Sequence, residues 1–233
     1  MTEIKGAVAL VTGGSRGIGK ALVEELFARG ASKVYATARD PRTVTHPDAV
    51  PVRLEVTDPD SVAAVAEQAG DVTILINNAG GSVGVPMLGS SIEDIRREFE
   101  TNFYGPLLVS RAFVPIIERN GGGHVLNAHS VLSWLGNGGS YSASKAALWS
   151  QTNSLRLELH SRGIAVTGLH MGYVDTDMAA GVDAPKVSAA EVARLAVEGI
   201  QVGAHEVLAD DLSRRVKAGL SADLTALYPQ LAG

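Results

Sequence analysis

The sequence predicts a doubly wound α/β fold, a parallel sheet with helices on both faces. Three observations predict it. Short β-branched runs alternate with longer segments of helical periodicity along the chain. The runs are apolar without a polar alternation, as strands buried on both faces are. A glycine-rich turn joins the first run to the first helical segment, and strand–crossover–strand units of this kind close right-handed and parallel.

Residues 7–12 read as the first strand, ended by Gly13 and Gly14. Residues 18–28 place Ile18, Leu22, Leu26 and Phe27 at helical spacing, and Gly30 closes that helix. Residues 33–37 and 50–56 predict the second and third strands, and 61–69 a helix that stops at Gly70. A strand over 72–76, one long helix through Phe99 and Val109, and a strand over 124–127 follow. The last third predicts a helix over 141–160, a strand over 164–169, a helix over 188–199, a short strand over 206–208 and a terminal helix. No repeat, low-complexity tract or linker divides the 233 residues, so one domain over 1–233 is expected.

Composition removes several classes of function. Hydrophobic residues make up 45% and charged residues 19%, too apolar for a disordered chain. The absence of cysteine excludes a disulfide framework, a thiolate metal site and a cysteine nucleophile. A net charge of −5 argues against nucleic acid as partner. No apolar run reaches the ~18–20 residues of a membrane span, and residues 1–6 carry no secretory pattern. A cytoplasmic protein without membrane attachment is expected. The six histidines show no metal-ligand spacing, so no catalytic metal is expected.

Ligands of such sheets bind beyond the carboxyl ends of the strands, where the strand order reverses. Thr12-Gly13-Gly14-Ser15-Arg16-Gly17-Ile18-Gly19 lies at such an end. Its glycines allow a tight turn and close backbone approach to a diphosphate, and free amides at the helix start suit an anion. Gly13 to Gly17 also matches G-x-S-x-G, but no earlier strand–helix loop precedes it to donate to an oxyanion, which disfavours a nucleophilic Ser15. After the second strand stand Arg39 and Asp40. Arg39 offers a planar fork suited to a 2′-phosphate, with Arg16 as a second cation, whereas Asp40 could instead meet a ribose hydroxyl. NADP(H) is expected ahead of NAD(H).

Tyr141 and Lys145 lie four apart on one predicted helix and so share a face. An ammonium beside a phenol stabilises the phenolate and lowers its pKa from near 10 toward the working range. Ser130 ends the strand over 124–127, where a hydroxyl could bind a reacting oxygen, with Ser133 as the alternative. Asn77-Asn78-Ala79-Gly80 ends another strand on the same side, and Asn102 sits within the long helix. His129 and Ser130, adjacent in an extended segment, point to opposite faces and are not expected to pair.

Together these motifs resemble the short-chain dehydrogenase/reductase family, from Thr12 to the strand near Leu208. The resemblance implies that Tyr141 protonates a carbonyl oxygen, or accepts the proton of an alcohol. Ser130 would hold that oxygen, Lys145 the nicotinamide ribose, and Asn102 a relay water. For the dinucleotide it implies Gly13, Ser15, Arg16, Gly17, Ile18 and Gly19 at the diphosphate side, and Arg39, Glu55 and Val56 at the adenosine side. Asn78, Ala79 and Gly80, Tyr141 and Lys145, and Val174 and Thr176 would meet the remainder. The chain departs from the family in a shorter interval between Ser130 and Tyr141, Glu55 where aspartate is usual, and Met171 where proline is usual.

The resemblance also implies a substrate flap over about 178–190, with Leu132, Trp134, Tyr173 and Met178 as an apolar pocket wall. The expected partner is a small ketone, aldehyde or alcohol, and the expected assembly a homodimer or homotetramer. The competing reading is a dinucleotide-sensing protein of the same fold without turnover.

Overall fold

The computed structural model describes residues 1–83 and 86–232. The amino-terminal part comprises β1 (Val8–Val11), α1 (Gly17–Ala28), β2 (Lys33–Ala38), β3 (Val50–Arg53), α2 (Pro59–Gln68) and β4 (Ile74–Asn77). Then come α3 (Ile92–Phe99), a π-helical turn (Glu100–Tyr104), α4 (Gly105–Arg119), β5 (Gly123–Ala128) and α5 (Ser140–Leu159). The chain continues with β6 (Ile164–His170), β7 (Val174–Asp175), β8 (Val187–Ser188), α6 (Ala189–Val202), β9 (Glu206–Leu208), α7 (Asp211–Gly219) and α8 (Leu224–Leu227).

Seven strands form a sheet in the order β3-β2-β1-β4-β5-β6-β9, with every neighbouring pair parallel. The order reverses between β1 and β4, which opens a crevice at their carboxyl ends. This is the Rossmann-type arrangement expected from the apolar runs. Leu10, Leu75 and Val125 turn to one face, where they pack with Val62, Phe113 and Ile117. Ala9, Val11, Ile74 and Ile76 turn to the other and meet Leu22, Leu26, Val197 and Ile200. Period-two alternation thus supplies two cores, one per face.

The structure differs from expectation in three places. The third strand stops at Arg53 rather than at 56, because the Glu55 amide leaves the sheet for the Ser61 hydroxyl (3.0 Å). The long helix through Phe99 and Val109 is divided by the π-turn. The segment expected as a flap over about 178–190 is shorter, since β8 and the first residues of α6 fall within it; β8 pairs with β7 in a two-stranded parallel ribbon whose Val187 amide donates to the Tyr173 carbonyl (3.0 Å). Among the described residues no helix is long and apolar enough to cross a membrane.

Candidate active site

The glycine turn is held open by its neighbours. The Thr12 hydroxyl accepts from the amides of Asn78 and Ala79, both at 2.9 Å. The Asn78 side chain donates back to the carbonyls of Thr12 (3.0 Å) and Gly13 (3.3 Å). Gly13 and Gly17 adopt φ of +66° and +51°, where a Cβ strains the backbone. A Cβ on Gly19 would stand 2.0 Å from the Gly13 carbonyl oxygen, so α1 can approach the turn only without a side chain there. No side chain caps the amino end of α1, and Arg16 at that position is exposed. Its first amides are therefore free of the usual local acceptor and suit an anion. Thr176 closes the far side, its Cγ2 3.2 Å from a Cβ built on Gly17. Val174 beside it is buried in β7. These features fit a dinucleotide diphosphate.

At the adenosine end, a cleft of about 650 Å³ is lined by Arg39, Glu55, Thr57, Arg96 and Glu100 among others. Asp40 caps the following turn and takes the Arg42 fork on both oxygens (2.9 and 2.8 Å), so its carboxylate is spent within its own loop. Arg39 is exposed at the cleft. Glu55 accepts from the Thr57 hydroxyl (3.1 Å), and Val56 is buried against Gly105. A second hollow of about 440 Å³ lies at the amino-terminal edge of the sheet, between Gly121–Gly123 and His205. The crevice rule places ligand chemistry at the other edge.

Four polar side chains gather beyond β4 and β5. Asn102, fully buried in the π-turn, accepts from the Gly81 amide (3.0 Å) and donates to the Gly81 carbonyl (2.8 Å) and the Ser144 hydroxyl (3.0 Å). A π-turn often marks a functional site, and here it aims Asn102 at the segment leaving β4. Ser130 is buried and caps a short 3₁₀ turn (Val131–Ser133), with Ser133 directed back at the Ser130 amide (3.4 Å). This assigns Ser133 to the turn. Lys145 is buried and donates to the Ala128 carbonyl at 2.9 Å. A Cβ on Gly80 would lie 3.2 Å from Asn102 Oδ1 and 3.5 Å from Lys145 Nζ, so that glycine keeps this space clear.

Tyr141 is half-buried on the first turn of α5. Burial pushes its phenol up to about 12, the Ser130 hydroxyl pulls against that through a hydrogen bond, and the Glu98 carboxylate adds to it. Burial lowers Lys145 to about 8. The expected lowering of Tyr141 by Lys145 is therefore corrected. Nζ lies 5.8 Å from the ring centroid and is committed to Ala128, while loss of hydration dominates the phenol. At neutral pH the phenol is a proton donor.

The expected pocket wall divides. Leu132 flanks the same glycine, Gly138, as Tyr141 Cδ1. Tyr173 and Met178 are 45% and 64% exposed, apolar surface available at the mouth. Trp134, partly buried, stacks on His170 at 4.0 Å and meets Trp149 edge-on, beneath Lys217, so its ring is engaged with these side chains. His129 stacks on the other face of this group, against His170 at 4.6 Å, and reaches the Thr152 hydroxyl (3.1 Å). That separates it from Ser130. Among the described residues no group of three or more His, Asp or Glu is placed to hold a metal ion. Reading the sequence missed Glu98, 2% exposed, which lies within a charged stretch that reads as a solvated helix face.

A nicotinamide-dinucleotide oxidoreductase is the class of protein that this crevice and side-chain group define. The model of the family described as short chain dehydrogenase matches residues 7–186, and the chain belongs to that family. It is 37% identical over 188 residues to 3-oxoacyl-(acyl-carrier-protein) reductase FabG of Escherichia coli, covering 76% of this chain and 77% of FabG. A short chain dehydrogenase from Burkholderia cenocepacia, solved in complex with NADP, superposes with a TM-score of 0.93 at 37% identity over 99% of both chains. Another from Burkholderia phymatum, solved with NAD, gives 0.87 at 26% identity over 99% of this chain and 97% of that one. The protein is an NAD(P)-dependent oxidoreductase acting on small substrates.

Proposed function

We propose that the protein reduces uncharged, apolar ketones and aldehydes to alcohols, reversibly and with preference for NADPH. When bound, the cofactor supplies hydride chemistry at its pyridine ring. Tyr141 gives its proton to the carbonyl oxygen as the carbon becomes tetrahedral, and takes it back in alcohol oxidation. Ser130 donates to the same oxygen, so both donors strengthen as negative charge develops there. Lys145 and Asn102 hold the ribose side and the path by which Tyr141 regains its proton. The observation that carries this reading is the gathering of the half-buried Tyr141 phenol, Ser130 and the buried Lys145 and Asn102 at the mouth of the glycine crevice.

Diversion of Asp40 onto Arg42 supports the cofactor preference, since Arg39 is then the side chain exposed to a 2′-substituent. Exposed Tyr173 and Met178, with Leu132 beside Tyr141, support an apolar substrate. Tyr104 and Leu157, 46% and 82% exposed at the start of α4 and on α5, suit helix pairing in a homodimer or homotetramer. The chain forms one catalytic domain and works in the cytoplasm.

The test follows NADPH absorbance with a panel of aryl and alkyl ketones, for the parent and Tyr141→Phe. The expected loss in kcat is about 10²–10⁴-fold, with the Kd for NADPH, read by fluorescence, changed less than about twofold. Equal rates remove Tyr141 from the reaction. Reduction confined to carrier-protein-bound or coenzyme A-bound ketones overturns the apolar substrate.

A further inference from the structure

Glu98 is a buried carboxylate to which the reaction above gives no task. It is 2% exposed, and both oxygens act as acceptors. Oε1 takes the Val83 amide at 2.6 Å, and Oε2 takes the Ser140 hydroxyl. Four residues on, Asn102 makes the matching pair of contacts, with Gly81 and with Ser144. Two rungs thus join the same three elements: Glu98 to 83 and 140, Asn102 to 81 and 144. Glu98 on α3 and Asn102 in the π-turn that follows it thus meet two residues four apart on α5. Tyr141 lies between the two rungs on α5.

The amino end of α5 needs such a partner. Its preceding residue, Gly139, has φ +58° and provides no side-chain cap, and its first turn contains no acidic residue. Helix amino termini favour negative charge, and Glu98 supplies it from α3.

We infer that Glu98 is a positioning residue for Tyr141: it places a carboxylate at the amino end of the catalytic helix, held there by the Ser140 hydroxyl, and fastens that helix to the segment leaving β4. Asn102 alone would fix one end of the first turn of α5; the second rung fixes the other and with it the direction of the phenol. The charged groups bearing on Tyr141 among the described residues are Glu98 from α3 and Lys145 from its own helix. The carboxylate opposes formation of a phenolate, which favours the proton-donating state.

The inference rests on Tyr141 being the acid–base group, so its test has an arm independent of turnover. Glu98→Ala, Glu98→Gln and Ser140→Ala are compared with the parent by amide hydrogen exchange and by pH profiles. The probes are NADPH with an aryl methyl ketone, and NADP⁺ with the corresponding alcohol. Glu98→Ala is expected to exchange at Val83 and the first turn of α5 about tenfold faster, and to lose about tenfold in kcat, with the KM for NADPH little changed. Ser140→Ala is expected to show part of both effects.

Glu98→Gln can still accept from Val83 and donate to Ser140. It is expected to restore protection from exchange while moving the ascending limb of alcohol oxidation to lower pH. Parent-like exchange and kcat in Glu98→Ala overturn the inference. So does a Gln variant whose exchange stays fast or whose limb stays at the parent pH. If the parent itself fails to turn over the probes, the function proposed above fails, and the exchange arm still decides whether Glu98 holds the helix.

Discussion

The two sides of the crevice are built from opposite materials. On the β1–α1 side the chain removes side chains: Gly13, Gly17 and Gly19 expose backbone, and Thr12 with Asn78 brace it from behind. On the β5–α5 side it crowds polar side chains into a buried space, where Ser130, Lys145, Asn102 and Glu98 are each less than a tenth exposed. The first side meets a ligand whose shape is constant, and bare backbone does that with little conformational freedom left to lose. On the proposed function the second must move a proton, which requires groups whose acidity the surroundings can set.

The largest effect that sharpens this contrast is expected on the backbone side. Gly19→Ala places a Cβ 2.0 Å from the Gly13 carbonyl. Overpacking of that kind costs about 3 kcal/mol, or roughly 6–12 °C in Tm for a chain of this size. Calorimetry and NADPH titration are expected to show both losses together. A variant with parental Tm and affinity would mean that the turn tolerates bulk.

The side-chain half has an acid limit set by buried histidines. Burial lowers His124 to about 3 and His170 to about 4, where solvated histidine titrates near 6.5. Between those values the unfolded chain binds protons that the folded one refuses. The stability is therefore intact above about pH 6.5 and lost as pH falls toward 4, by up to about 1.4 kcal/mol per pH unit for each histidine. Urea midpoints between pH 4 and 7 measure it, and His170→Asn is expected to flatten the slope. A slope unchanged in that variant would remove His170 as a cause.

The smallest effect concerns the rim. Arg39→Asp is expected to reduce kcat/KM with NADPH about tenfold or more while sparing NADH. Unchanged preference between the two cofactors would remove Arg39 from recognition of the 2′-phosphate.

Much of this architecture was legible in the residues. Runs such as Val8–Val11 and residues 74–76 are apolar because both faces of the sheet are covered, and the glycine turn sits where the topology needs it. Helical spacing places Tyr141 and Lys145 on one helix, as α5 does. Elements set by distant partners were not legible. The π-turn forms around Asn102, whose partners Gly81 and Ser144 lie 21 and 42 positions away. Glu98 reads as one more charge in a charged helix until Val83 and Ser140 enclose it. The ring partners of Trp134, His170 and Trp149, are likewise announced by nothing in its own segment. The acidity of Tyr141 was misjudged for a related reason: spacing reports which cation is near, and burial depends on the whole fold.

The short ribbon of β7 and β8 separates residues 176–186 from the scaffold on which both sides of the crevice depend. A stretch pinned at each end can change in length at small thermodynamic cost, about 0.6 kcal/mol for each doubling. If the segment covers the substrate as proposed, specificity can thus be rewritten there by insertion or exchange while the hydride machinery stays as it is. On the proposed function the ribbon makes the mouth of the enzyme an interchangeable part, and a library confined to the ten positions 177–186, which leaves Thr176 in place beside Gly17, is a practical route to new alcohols.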